Sequence, residues 1–253
     1  MAYKGKSKRT SNRDTWIVLG FMLVVLLIIG ALIFYFVSPD KELPEVETVG
    51  AEMPYDVPGF TILKDAPYGE VNDTFKVLCM GTYSGAFVED GTDEQVTDVL
   101  SIVVTNTGDC LMEYGLITVN CGETTATFEF TGLPAAESVL VMEKNRTTYD
   151  DSMKLSDLTC VQYAEPSVLV MDFGNEFAVY SSDGFINIEN ISGRNFQSDV
   201  SLFYKNSDFG LFIGGITYRA RFSGGIMAGE TKQCMQQHYS AEKSVIMYMS
   251  YEQ

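Results

Sequence analysis

The sequence predicts an all-β ectodomain of two tandem antiparallel sandwiches, carried on a stalk behind one N-terminal transmembrane helix. Three observations predict it. Trp16 to Val37 contains no charged residue and has 16 Leu, Ile, Phe or Val positions, the length and composition a bilayer core demands of a helix. Beyond about residue 72 the apolar residues recur with a period of two, the mark of strands with one buried face. The chain past that point also aligns with itself in four blocks that keep one order.

Residues 1–15 hold Lys4, Lys6, Lys8, Arg9 and Arg13 against Asp14, whereas Asp40, Glu42, Glu45 and Glu47 follow the apolar run. The positive-inside bias places residues 1–15 in the cytoplasm as a basic tail, and everything after Pro39 outside the plasma membrane of a single-pass protein. Residues 16–38 read as a signal anchor. A cleaved leader has an apolar region of about 7 to 15 residues and a small-residue cleavage site, but here the run is longer and Phe34, Tyr35, Phe36 and Val37 stand at its end. Residues 39–72 are acidic and hold five of the seven prolines. Proline fixes φ and removes a donor, so this segment is a semi-extended stalk, with a short strand at Phe60 to Leu63 placed to dock on the domain that follows.

The first sandwich spans 73–164, with strands expected near 75–80, 84–89, 98–105, 114–119, 124–130, 138–143 and 156–163. The second spans 165–253, with strands near 167–171, 176–181, 185–190, 199–205, 215–222, 231–238 and 244–251. Turn clusters such as EDGTD, NTGD, SSDG, ISGRN and NSDFG separate them. FEFTGLPAAESVLVME from Phe128 aligns with ARFSGGIMAGETKQCMQ from Ala220, matching Phe130 to Phe222, Leu133 to Ile226 and Glu137 to Glu230. LSIVVTNTG from Leu100 aligns with FINIENISG from Phe185. The alternative is one larger β-sandwich or barrel whose halves look alike through strand periodicity alone.

The turn forms LPAAES and IMAGET, each after a Phe-terminated strand, and the N-x-(S)-G turn after an apolar strand are similar to those of immunoglobulin-like and fibronectin-like repeats of bacterial surface proteins. The resemblance covers roughly residues 72 to 253. It implies two Ig-like β-sandwiches and a spacer or adhesive role, with no catalytic residues to carry over. The Cys-Trp-Cys core of antibody-type domains is absent, since Trp16 is the only tryptophan.

The net charge is −17, which excludes nucleic acid or an anionic membrane surface as a partner held by charge. Five cysteines are an odd count for an oxidising space. Cys110 and Cys121, at the two ends of a predicted hairpin arm, are the candidate disulfide. Catalytic chemistry has little to work with: His238 is the sole histidine, and the nucleophile-elbow, zincin and phosphate-loop motifs are missing. No enzyme activity, cofactor or metal is expected. The acidic turns Glu89-Asp90-Gly91-Thr92-Asp93-Glu94 and Asp150-Asp151 read as solvated loops before calcium ligands. Asn72, Asn145 and Asn190 open N-x-Ser/Thr sequons. In Tyr204 to Gly215, core packing accounts for Tyr204 and Leu211, while Phe209 and Phe212 are the candidate partner-binding residues. The expected function is a membrane-anchored extracytoplasmic binding or assembly module, with the bilayer contacted through residues 16–37 and an unidentified protein as partner. A structural spacer of an envelope complex and an envelope enzyme of unrecognised type are the alternatives.

Overall fold

The computed structural model describes residues 55–165 and 173–251, and these form strands, turns and loops. The basic tail, the anchor, the stalk before Tyr55 and the strand expected at 167–171 lie outside the described residues. Among the described residues no helix is long and apolar enough to cross a membrane.

The first eight strands are β1 (Phe60–Ile62), β2 (Gly69–Glu70), β3 (Phe75–Phe87), β4 (Glu94–Asn106), β5 (Met112–Cys121), β6 (Thr124–Leu133), β7 (Ser138–Met142) and β8 (Leu155–Ala164). One layer runs β3-β4-β7, with β1 and β2 on the outer side of β3, and the other runs β6-β5-β8. The alternation in sequence drives their packing. Ala126, Phe128 and Phe130 of β6 and Ile117 and Val119 of β5 are buried against Phe75, Ile102 and Val141 of the facing layer. Each such large side chain contributes about 1.5–3 kcal/mol by leaving water. Phe75 meets Phe130 edge-on, with ring centroids 5.0 Å apart. β4 and β7 instead read as continuous apolar runs, because both their faces are covered. The second cover is Val57, Phe60 and Ile62 with Leu211 and Ile213, packed on Cys79, Val103 and Leu140.

The remaining strands are β9 (Phe177–Ser182), β10 (Phe185–Asn190), β11 (Val200–Asp208), β12 (Leu211–Ile213), β13 (Tyr218–Phe222), β14 (Thr231–Met235) and β15 (Ser244–Ser250). β14-β10-β9 form one layer, and β11 pairs with β13 on one side and β15 on the other. Their core is separate: Phe177, Ile186, Ile188, Leu202, Tyr204, Phe222 and Met249 pack together.

A fully buried asparagine stands at the same point of each half. Asn106 donates its side-chain amide to the carbonyls of Cys110 and Leu133 and accepts from the Gly108 N–H. Asn190 donates to Arg194 and Ile226 and accepts from the Ser192 N–H. The backbone carbonyls of the two asparagines hold Ala136 and Gly229 in turn. These bonds set Asn106 opposite Asn190, one residue away from the sequence alignment, which sets it opposite Ile191.

β12 has no counterpart in the first half. It lies parallel to β7, with Phe212 beside Val139 and Ile213 beside Leu140, and continues into β11. The layer β3-β4-β7 therefore runs on through β12 and β11 to β13 as one sheet.

Two expectations are corrected. The strands expected at 75–80 and 84–89 are the single strand β3, with Gly81 inside it. A Cβ at Gly81 would lie 2.3 Å from the Thr61 carbonyl oxygen and 2.6 Å from the Phe60 ring, so this glycine is the space into which β1 docks. Cys110 and Cys121 are not a disulfide: both are free thiols. β5 runs extended between them at about 3.3 Å per residue, many times the Cα separation of about 4.4–6.8 Å that a bond requires.

Candidate functional site

The segment from Tyr204 to Gly215 divides its aromatics between core and solvent. β11 and β12 are joined by Phe209 and Gly210 between the paired residues Asp208 and Leu211. Both joining residues have positive φ, 55° and 86°, the backbone of a type I′ turn, where Asn, Asp or Gly is favoured at the first position. Phe209 has none of their advantages there. Its N–H is held by Asp208 Oδ1 at 3.1 Å, Asp208 is paired with Lys243, and the ring is 47% exposed. Phe212, the other candidate contact residue, is corrected to a core residue at 5% exposure. β12 lies against β7 instead of at a free surface, so Phe212 enters the core of the first half. Tyr204 and Leu211 are buried as expected.

The base of this hairpin is fixed by charges that sequence reading passed over. Lys205 on β11 is completely buried, and its Nζ donates to the carbonyls of Thr131 (3.0 Å), Gly215 (2.8 Å) and Ile216 (2.9 Å). Three acceptors match the three protons of an ammonium, whereas an amine has only two. The geometry thus favours the charged form, although burial lowers the lysine pKa. Glu89 accepts from the N–H groups of Met142 (2.8 Å) and Gly215 (2.7 Å). Burial raises its pKa, opposed by those two N–H groups and by Lys205. The Gly215 peptide therefore bridges the two charges, N–H to carboxylate and C=O to ammonium. A Cβ on Gly215 would lie 2.0 Å from the Glu129 carbonyl oxygen, so only glycine seats there. Thr131 and Thr217 close the joint, with hydroxyls 2.9 Å apart.

The other carboxylates of the EDGTDE turn point to different partners. Asp90 and Glu94 both bind Arg146, whose guanidinium lies 4.5 Å from the centre of the Phe87 ring. Asp93 is 3.2 Å from His238 Nδ1, and the imidazole stacks on Tyr218 with centroids 5.1 Å apart. Among the described residues no hydroxyl or thiol is hydrogen-bonded to this imidazole, so the pair has no adjacent nucleophile to activate. Asp150 accepts from the N–H and hydroxyl of Ser152 in a local turn. No group of three or more His, Cys, Asp or Glu among the described residues converges on a metal position. A cleft of about 210 Å³ opens beside Glu89, Asp90, Glu129 and Lys144, below the size of ordinary small-molecule sites, about 300 Å³ and upward.

The sequence marked Phe209 through the NSDFG turn cluster. It held no signal for Glu89, Lys205 or Gly215 as a group, because their contact depends on how the two halves meet. No protein family matches the chain, and no curated protein matches it. Among solved structures, the chain is similar to the C-terminal globular domain of an oligosaccharyltransferase from Pyrococcus abyssi, at 13% identity and a TM-score of 0.20. The match covers 77% of this chain and 51% of that one, so the chain spans about half the length of that structure. A likeness of that degree carries no argument about function.

Proposed function

We propose that the chain is a single-pass, membrane-anchored extracytoplasmic binding module without catalytic activity, two Ig-like sandwiches on a stalk that present Phe209 to a protein partner. The observation that carries the reading is the Phe209 turn. A bulky residue in the left-handed region costs about 1–2 kcal/mol, and such strain persists where the surroundings over-determine it, often at sites of contact. Here the surroundings are the Glu89–Gly215–Lys205 joint and the Asp208–Lys243 pair, and the ring gains little burial in return. The basic residues before Trp16 and the acidic ones after Val37 support the orientation. The shared pairing order of β3-β4-β7 with β9-β10-β14, and the two asparagine knots, support the tandem reading.

The test is site-specific photocrosslinking in native membranes, with benzoylphenylalanine at position 209 and, as control, at the exposed Val161. A reproducible adduct of one size at 209 and none at 161 is the expected result. Absence of any adduct at 209 overturns partner binding there and leaves the spacer reading, which the rigid joint between the halves favours. Protease added to intact cells should remove the β-rich portion and spare residues 1–15; a fully protected chain would overturn the orientation.

A further inference from the structure

We propose that β9 is a pairing edge for a second copy of this chain, the same strand lying antiparallel across a two-fold axis and joining the two three-stranded layers into one. β9 reads FAVYSS, with no charge and no proline, and pairs with β10 over six residues without a shift of register. Among the described residues no strand lies on its other side. Exposed edges are usually blunted by charge, proline or a bulge, and several other edges of these sheets are. β8 shifts register twice against β5 and holds Asp157 at a φ of 52°. β13 carries Arg219 and Arg221, and β14 carries Lys232. β15 shifts register against β11 and buries Met247 and Tyr248 in the first core.

The backbone phase of β9 is fixed by the bond from the Ile191 N–H to the Glu176 carbonyl. Counting by two, Ala178, Tyr180 and Ser182 face β10, and Phe177, Val179 and Ser181 turn their N–H and C=O groups outward, the Phe177 N–H being held there by the Phe173 carbonyl. A two-fold axis at Val179 pairs Val179 with the mate's Val179 through both bonds, and the Ser181 N–H with the mate's Phe177 carbonyl. It also sets Tyr180 beside the mate's Ala178, a large side chain against a small one. The face that continues across such a junction is already partly apolar: Tyr180 is 54% exposed and Met235 74%, with Phe185 directly opposite Met235 in the ladder.

The first half shows what fits such an edge. There β3 occupies the place of β9, and β1 closes it by antiparallel pairing at Gly81, Thr82 and Tyr83. Charge favours the second half as the meeting surface. Residues 73–164 carry 15 acidic and 4 basic side chains, whereas residues 165–253 carry 10 and 6, so two copies repel least through the second half. Pairing of identical edges is isologous and uses both of them, so it stops at two.

The test is sedimentation equilibrium of the full chain in density-matched detergent, beside hydrogen exchange at low and high protein concentration. A dimer is expected, with slower exchange at Val179 and Ser181 in the dimer than in the dilute monomer. Ser181→Pro removes an N–H that bonds to no other described residue of the copy, and Tyr180→Lys sets a charge against the mate. Each should weaken association about ten-fold or more and leave the thermal midpoint nearly unchanged. A monomer at every concentration, a dimer unaffected by both substitutions, or equal protection of Val179 and Ser181 in the monomer would each overturn the proposal. Phe209→Asn should leave the dimer intact, which separates this surface from the hairpin tip.

Discussion

Phe209 and Phe212 are three positions apart on one hairpin and meet opposite constraints. Phe212→Ala removes a buried ring from the first core and should cost about 3–5 kcal/mol. Phe209→Asn relieves a left-handed backbone and should gain about 1 kcal/mol; urea denaturation of both variants checks the two signs. Lys205→Met leaves three carbonyls without their cation and takes a nearby opposite charge from the half-buried Glu89. Its expected cost is about 3–5 kcal/mol. The pH dependence has a definite sign. A carboxylate whose folded pKa is raised contributes stability that is complete below its unfolded value, near 4.3, and is lost as pH rises through the folded value. Loss of Lys205 removes an opposite charge that holds Glu89 down, so the variant should go on losing stability above about pH 7, where the wild type's Glu89 has already ionised. The thiols have a plainer signature. Cys79 is fully buried and pushed up to about 12, so it should resist alkylation at pH 8 until the protein is unfolded, as followed by mass spectrometry. The sequons read differently in three dimensions: Asn190 spends its amide on the carbonyls of Arg194 and Ile226, and Asn72 spends its oxygen on the N–H groups of Thr74 and Phe75.

At the scale of elements, β12 is the piece that joins a layer of each half into one sheet. It is only three residues long, too short to hold a parallel pairing without support. The support is the Gly215 peptide behind it and the Phe212 ring within the first core. Gly215→Ala should therefore release β12 from β7, seen as faster hydrogen exchange at Val139 and Leu140 with β9–β10 unchanged. β3 teaches a related lesson about glycine. Gly81 and Gly85 look like punctuation in the sequence, yet they allow β1 and the Tyr83 ring to approach. The alternating strands β5, β6 and β13 were legible because one face of each meets solvent. The continuous runs of β4 and β7 were legible as strands, but their second covering layer was not, because it comes from residues 55–62 and 211–213, far from both in sequence.

For the described body as a whole, the main hydrophobic cores of the two halves are coupled through one sheet and through Gly215, which bonds Glu89 by its N–H and Lys205 by its carbonyl. Unfolding should accordingly be a single transition by fluorescence and far-ultraviolet dichroism, and Gly215→Ala should separate the probes into two transitions. The sequence by itself determined the uncharged span at residues 16–37, the charge bias around it, the all-β character beyond it and most turn positions. These follow from the spacing of neighbouring residues, which acts over a few positions of chain. Tertiary structure alone decided that Phe212 is buried, that Cys110 and Cys121 stand apart, and that Glu89, Lys205 and Gly215 form one joint. Glu89 and Gly215 lie 126 residues apart and Lys205 and Thr131 lie 74 apart. A contact over such separations is set by how finished layers pack against each other, and local periodicity carries no record of it.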